Sequence, residues 1–458
     1  MIPSSAYGAP VKPEPELRLR RVLTLWDLVF YGIVLIQPIA AVPLFGIADR
    51  LSGGHVVTTI LIAMIAMMLT AFSYGRMATI YPVAGSAYTY VGRELNPHLG
   101  FLTGWAMTLD YLVIPIINTI YGALTLARLF PAVPYVAWAA MIAALTTYLN
   151  LRGIRSTARS NIIMLVVMCA VIAAFIVLAV HYLAHVQGLG ALLSIRPFYD
   201  PGTTHFSSIA TATSLAALTY IGFDGVTTLS EEVQDPKRNI LRATVLVCFL
   251  TGMFSGIQVY LAQLVWPDYS TFPNIETAFM DVSRRVGGPA LFNGMAFILV
   301  VASVGSGLSG QAGAARLLFG MGRDNALPRR IFAHIDSKHR VPTYNLWIVG
   351  LVAFLGAIFL NWERAAEVLN FGAFLAFMGV NLSALRHFYR AAGKDIRQVS
   401  SNLLVPAFGF LFCLWIWWSL PRPAKIVGGF WFIGGALYNA VMTRGFRKQP
   451  VMIDFSES

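Results

Sequence analysis

Two aspartates, Asp110 and Asp224, stand inside stretches that are otherwise apolar over about the twenty residues needed to cross a bilayer. A carboxylate in hydrocarbon is costly to desolvate, so such a residue marks a candidate functional position. Asp110 lies nine residues into its stretch, roughly 14 Å at 1.5 Å per residue, close to a bilayer midplane. Asp224 lies between Gly222 and Gly225, seven residues before the hydrophilic turn at Glu231. No Lys, Arg or His occupies the middle of any apolar stretch, so neither acid has an internal cationic partner in the sequence. A cation from outside would supply one, as a positively charged substrate or a coupling ion. The competing reading is that each acid is protonated, or hydrogen-bonded to backbone or to Tyr111, Asn118 or Tyr220. Rings at Tyr88, Tyr111, Tyr220 and Phe223 offer cation–π faces to the same guest.

Ser303, Ser306 and Ser309 recur every third residue, which places them near one face of a helix, where hydroxyls coordinate sodium or bond a neighbouring helix. The stretch Gly305-Ser306-Gly307-Leu308-Ser309-Gly310 matches G-x-G-x-x-G, but it follows no strand and so is no dinucleotide site. Its Gly-Leu-Ser-Gly core resembles the serine motif of rhomboid proteases, which need a histidine base on a later membrane helix; the later spans contain none. With no nucleophile–base pair and no metal-ligand cluster within the spans, the chain reads as a non-enzyme without cofactor or metal. Cys169, Cys248 and Cys413 all fall within spans and read as small packing residues.

What positions these residues is a membrane bundle. The 458 residues are 57% hydrophobic and 12% charged, about half the charge of a soluble domain. Twelve spans are predicted, at 24–49, 56–80, 101–127, 135–151, 161–183, 206–230, 240–266, 289–317, 344–360, 365–385, 403–420 and 426–442. No removable signal peptide precedes them. The net charge of +12 is no nucleic-acid signal: 25 of the 33 Lys and Arg residues fall on the side of the two termini. The positive-inside rule then places both tails, 1–23 and 443–458, in the cytoplasm of a multi-pass cell-membrane protein. Trp415, Trp417 and Trp418 read as an interfacial aromatic belt.

Two spans are interrupted. Span one contains Gln37-Pro38 and Pro43, which remove backbone donors, and span six contains Gly222-Phe223-Asp224-Gly225. The breaks lie five spans apart, the pattern of an inverted-repeat transporter with its site at the midplane. The repeats would be 24–183 and 206–385, with 403–442 forming two peripheral helices.

The run from Gly222 through Ser230-Glu231-Glu232-Val233-Gln234-Asp235-Pro236-Lys237-Arg238 resembles the sixth helix and following loop of the amino acid–polyamine–organocation transporters. Pro82-Val83-Ala84-Gly85-Ser86-Ala87-Tyr88 is similar to that family's third-helix approach. Ser73-Tyr74-Gly75-Arg76, Asn96-Pro97-His98 and Leu109-Asp110-Tyr111-Leu112 resemble the bacterial putrescine importers within it. The resemblance covers the whole chain and implies an all-α, LeuT-like five-plus-five inverted repeat working by alternating access, with spans one, two, six and seven rocking against the rest. It implies import of a cationic amine, putrescine or a related polyamine, with an amino acid permease or exchanger of the same fold as the alternative. Asp224 would pair with one ammonium or carry the coupling proton, and Asp110 would take a second. Gln37, Tyr111, Asn118, Tyr220 and Phe223 would line the cavity; Asp224, Ser303 and Ser306 are the candidates for a coupling proton or sodium.

Two departures from the family pattern bear on substrate. Where amino acid permeases carry a Gly-Ser-Gly type break whose N–H groups cradle a carboxylate, this chain has Gln37-Pro38-Ile39-Ala40-Ala41, a poorer cradle. The helix-five lysine that replaces sodium in some members corresponds to Met168. No T-V-G-Y-G filter supports a channel, and no feature decides between a monomer and a homo-oligomer.

Overall fold

The structure, a computed structural model, describes residues 23–81, 86–153, 158–229, 233–323, 327–336, 341–390 and 400–450. Most of both predicted tails, the Pro82–Gly85 part of one motif and Ser230-Glu231-Glu232 lie outside the described residues. Among those described there is no strand, only an isolated bridge between Leu23 and Val233. The helices are α1 (Leu25–Ile36), α2 (Phe45–Ser52), α3 (Val56–Ile80), α4 (Ser86–Glu94), α5 (Pro97–Leu129), α6 (Tyr135–Leu151), α7 (Ala158–Val186), α8 (Phe206–Ala216), α9 (Pro236–Val265), α10 (Ala278–Arg323), α11 (Arg329–Phe332), α12 (Thr343–Phe359), α13 (Trp362–Arg390), α14 (Val405–Trp418) and α15 (Arg422–Met442). Among the described residues eight helical segments are long and apolar enough to cross a membrane, and α1, α6 and α12 are shorter apolar helices.

Local chemistry sets the ends of these elements. Thr24 and Asp27 form a reciprocal capping box that starts α1, satisfying two donors that no earlier turn can reach. Asn96 caps α5 through His98 N at 2.8 Å, with Pro97 at the first helical position. His55 precedes α3 and fastens the loop 187–205 to it, its ring nitrogens meeting the Arg196 carbonyl at 3.2 Å and the Thr204 hydroxyl at 2.8 Å. Burial lowers the pKa of this imidazole, opposed by the Arg196 carbonyl and the charge of Asp200.

Both predicted interruptions are present. Helix α1 ends at Ile36, Gln37 adopts φ +71°, and α2 begins only at Phe45. The freed Pro38 carbonyl accepts a bond from Gln258 Nε2 of α9 at 2.9 Å, so the break is satisfied by a neighbouring helix. On the other side, α8 passes into a 3-10 turn at Ala217–Tyr220, Gly222 sits at φ +119°, and a second 3-10 segment runs Phe223–Leu229. The two breaks cross. A Cβ on Gly225 would lie 2.6 Å from Leu35 Cδ1, and one on Gly222 would lie 3.4 Å from Ile36 Cγ1. Gly222→Val is therefore expected to cost about 1–3 kcal/mol from its backbone region alone, seen as a lower melting temperature of the purified protein.

Two sequence expectations are corrected in detail. The loop predicted to end at 288 is already helical from Ala278, because Phe279 packs against Phe45 at 5.6 Å and Phe175 at 4.7 Å. Gly288, at φ +63° before Pro289, separates this short helix from the long one. A separate α4 precedes α5, held by Gly100, where a Cβ would come within 2.5 Å of the Gly92 backbone. Neighbouring tryptophans near the end of α14 are turned by about 100° on the helix. Trp418 is 71% exposed, whereas Trp417 meets the Phe371 ring at 5.3 Å in a tilted contact.

Helix α5 is the central post, packed by α10, α13, α6 and α12, while α3 pairs with α9 and α1 lies on α9. Helix α15 docks on the outside of the post through reciprocal bonds between Trp105 and Trp431, at 2.9 and 3.0 Å.

Candidate functional site

Asp224 occupies the first turn after the Gly222 break, with the backbone N–H groups of Gly222 and Gly225 directed at its carboxylate. Both lie at the interruption of the helix, where the Gly225 N–H also donates to the Gly222 carbonyl at 3.1 Å, and the break so forms an anion cradle. Thr227 donates back to the Asp224 carbonyl at 2.7 Å, tightening the turn. The cradle leaves the negative charge itself unneutralised.

Asp110 is held differently. Its Oδ1 is buried without a hydrogen-bond partner and is pressed against α13 where Gly372 leaves room; a Cβ there would sit 2.7 Å away. The two carboxylates feel each other's charge. Among the described residues the ion pairs are Arg50–Glu363, Arg128–Asp281 and His387–Glu94, and none reaches Asp110 or Asp224. An uncompensated pair of acids in a low-dielectric interior is unfavourable unless a cation joins it.

Aromatic rings close around this pair. Phe223 is fully buried and meets Tyr74 of α3 edge-on at 5.4 Å and Phe377 of α13 at 5.3 Å. Tyr74 also contacts Tyr90 at 6.1 Å; its buried hydroxyl has no partner and lies in the field of both acids. Sequence reasoning did not select Tyr74, Tyr90 or Phe377. Tyr74 stood in a resemblance motif, but only the packing of α3 against segment 223–229 brings its ring there.

The remaining predicted residues divide. Gln37 reaches from the α1 break to the Ala302 carbonyl of α10 at 3.4 Å, and Asn118 of α5 donates to Ser306 Oγ of α10 at 3.0 Å. These two amides thus meet α10 one turn apart. Tyr111 is 39% exposed although its helix is enclosed, and Tyr31, itself 38% exposed, lies within its electrostatic reach. Trp26, Phe30 and Leu35 are exposed on the same helix, α1, which packs on α9 and segment 223–229. Helix α1 begins at the pole carrying Leu23. The opposite pole is closed by Phe45 under Phe272 and Phe279 and by the Arg50–Glu363 pair.

Tyr220 does not join the group. It is fully buried and donates to the Ile60 carbonyl of α3 at 2.8 Å, with Gly252 of α9 beside its hydroxyl. Tyr220→Phe is expected to lower stability by about 1 kcal/mol with KM for the transported solute unchanged, read by thermal unfolding and uptake. The three serines also separate. Ser303 is buried opposite Gly122 of α5, Ser306 bonds Asn118, and Ser309 is exposed and bonds its own helix at Gly305 O, 3.1 Å. A step of three residues falls short of a turn by about 60°, so the row drifts off one face.

This geometry meets a matching family. The model of the amino acid permease family matches residues 28–421. The chain belongs to that family. The permease is 34% identical over 435 residues to the low-affinity putrescine importer PlaP of Escherichia coli K12, covering 94% of this chain and 96% of the relative. It is 26% identical over 471 residues to the branched-chain amino acid permease BcaP of Lactococcus lactis, covering 95% and 97%. Its fold is shared with MhsT, solved in complex with L-phenylalanine, at a TM-score of 0.57 and 14% identity over 86% of this chain and 98% of that one. With eight helices able to cross a bilayer, the permease is a multi-pass membrane protein.

Proposed function

We propose that this permease is a secondary active carrier importing a cationic amine, putrescine or a related polyamine, across the cell membrane by ion-coupled alternating access. The observation that carries the reading is the pair Asp110 and Asp224, within each other's field, with no ion pair to either among the described residues and with one Asp110 oxygen buried and unpartnered. An ammonium bound between them would gain the charge-assisted bonds that the protein withholds. The rings of Phe223, Tyr74 and Tyr111 would contact its methylene chain and polarise toward its charge. The PlaP likeness supports the same substrate class.

In this reading twelve spans form two inverted repeats, 24–183 and 206–385, with 403–442 at the periphery and both termini cytoplasmic. The pole carrying Leu23 is then the cytoplasmic one. Gln234 N donates to Leu23 O at 2.9 Å, joining the start of α1 to the turn before α9. Such a tie would make α1 and α9 move as one body against α5 and α10. A proton on Asp224, or sodium near Asp224, Ser303 and Ser306, would couple the cycle.

The second reading, an amino acid permease or exchanger, is favoured by the BcaP likeness. It requires a carboxylate cradle at the α1 break, where Pro38 has no N–H to give. Uptake of labelled putrescine into proteoliposomes separates the two. Excess unlabelled putrescine should suppress it, and excess isoleucine, alanine or arginine should not; suppression by an amino acid but not by putrescine would transfer the assignment.

A further inference from the structure

Helix α7 ends in His181-Tyr182-Leu183-Ala184-His185-Val186, and the central site uses none of this run. The two histidines are four residues apart, so their side chains leave the same helix face one above the other. The helix is intact to its end, with Gln187 N donating to Leu183 O at 2.9 Å. The two imidazole rings lie 4.3 Å apart between centroids, tilted by 57°. Both residues are exposed.

Their ring nitrogens are also unclaimed. His55 is bonded through both of its nitrogens, His98 meets Asn439 and the Phe446 ring, His387 bonds Glu94, and His334 stacks on Tyr344. His181 and His185 make no hydrogen bond or ion pair among the described residues, and theirs is the one contact there between two histidine rings. Arg285 of α10, the cation bonded to this stretch, donates to the Tyr182 hydroxyl at 3.1 Å and lies over the Trp266 ring. Tyr182 is turned about 100° from His181 around the helix.

Two histidines at this spacing on one helix face are the arrangement by which helices hold zinc. Imidazole nitrogen suits zinc, copper and nickel, whereas magnesium and calcium take oxygen ligands. Nitrogens each about 2.0–2.1 Å from one ion lie no more than about 4.2 Å apart, which rings this close can meet by rotating about their side-chain bonds. Two ligands leave the rest of the coordination shell to water, so the site is open and exchangeable. It also faces a defined side. The loop that follows α7 is fastened to His55, and Gln187 Nε2 donates to Leu264 O at the end of α9, 3.3 Å away. That is the pole of the Arg50–Glu363 pair, extracellular in the orientation proposed above.

We propose that His181 and His185 form a chelating site for a divalent transition-metal ion, Cu²⁺ or Zn²⁺, at the outer end of α7. The inference stands apart from the amine reading, since neither acid of the central site takes part. The test is titration calorimetry of purified, tag-free protein with CuCl₂, ZnCl₂ and MgCl₂. Cu²⁺ should bind more tightly than Zn²⁺ at one saturable site, and Mg²⁺ should not bind there. His181→Gln and His185→Gln should each weaken Cu²⁺ binding at least about tenfold, while His205→Gln should leave it unchanged. Paramagnetic resonance of Cu²⁺ bound to the wild type should show two imidazole nitrogens, a readout that needs no variant to fold. No saturable Cu²⁺ binding below about 1 mM, wild-type affinity in either Gln variant of the pair, or a single imidazole nitrogen on the bound ion would each overturn the site. Mg²⁺ binding as tightly as Cu²⁺ would overturn it in favour of an oxygen-lined site elsewhere.

Discussion

Asp224→Asn is expected to reduce putrescine uptake by roughly 100-fold, the effect of about 3 kcal/mol for removing one partner of a buried charge pair. The substitution is suited to the question because the asparagine carbonyl still accepts from Gly222 and Gly225 N–H, so the break keeps its shape. What disappears is the negative charge. Uptake by reconstituted protein, normalised to the amount inserted, is the measurement; wild-type rates in the Asn variant would remove Asp224 from the mechanism.

Asp110→Asn should separate function from stability. The Asp110 oxygen has no partner, and its neighbours are Asp224 and the Gly372 backbone. Neutralising it relieves an unmet charge, so the melting temperature of the ligand-free protein should be at or above that of the wild type. Putrescine affinity should nonetheless fall at least about tenfold, since one ammonium loses its counter-charge. The stabilisation that putrescine confers on melting should shrink accordingly. A variant that melts lower and still binds putrescine like the wild type would mean that Asp110 serves the fold and not the solute. A gain in stability bought by a loss of binding is the pattern expected of a strained site.

How far the sequence reached is seen best at the breaks. Pro38, Pro43 and Gly222 state their consequences locally, because a missing N–H or a missing Cβ acts within one turn. Both interruptions were legible for that reason. Asp110 and Asp224 were legible as costly charges, because cost in lipid depends on residue type and depth alone. Tyr220 was not: its ring is as suitable as that of Tyr74, but the turn of the 3-10 segment points it at Ile60 instead. Ser309 was likewise grouped with Ser303 by spacing and parted from it by helical drift. The helix beginning at Ala278 was read as loop, since its apolar face is explained only by Phe45 and Phe175, distant in the chain.

By itself the sequence determined the apolar spans, their two interruptions, the acids placed in them and the absence of a cation to match. Each follows from the transfer cost and backbone preference of single residues or short runs. The tertiary structure decided which groups face one another: Asp110 and Asp224 within each other's field, Tyr74 and Phe377 over Phe223, Gln37 and Asn118 on α10. Those pairings join residues tens to hundreds of positions apart. Helix crossing and rotation set them, and no short stretch of chain encodes either.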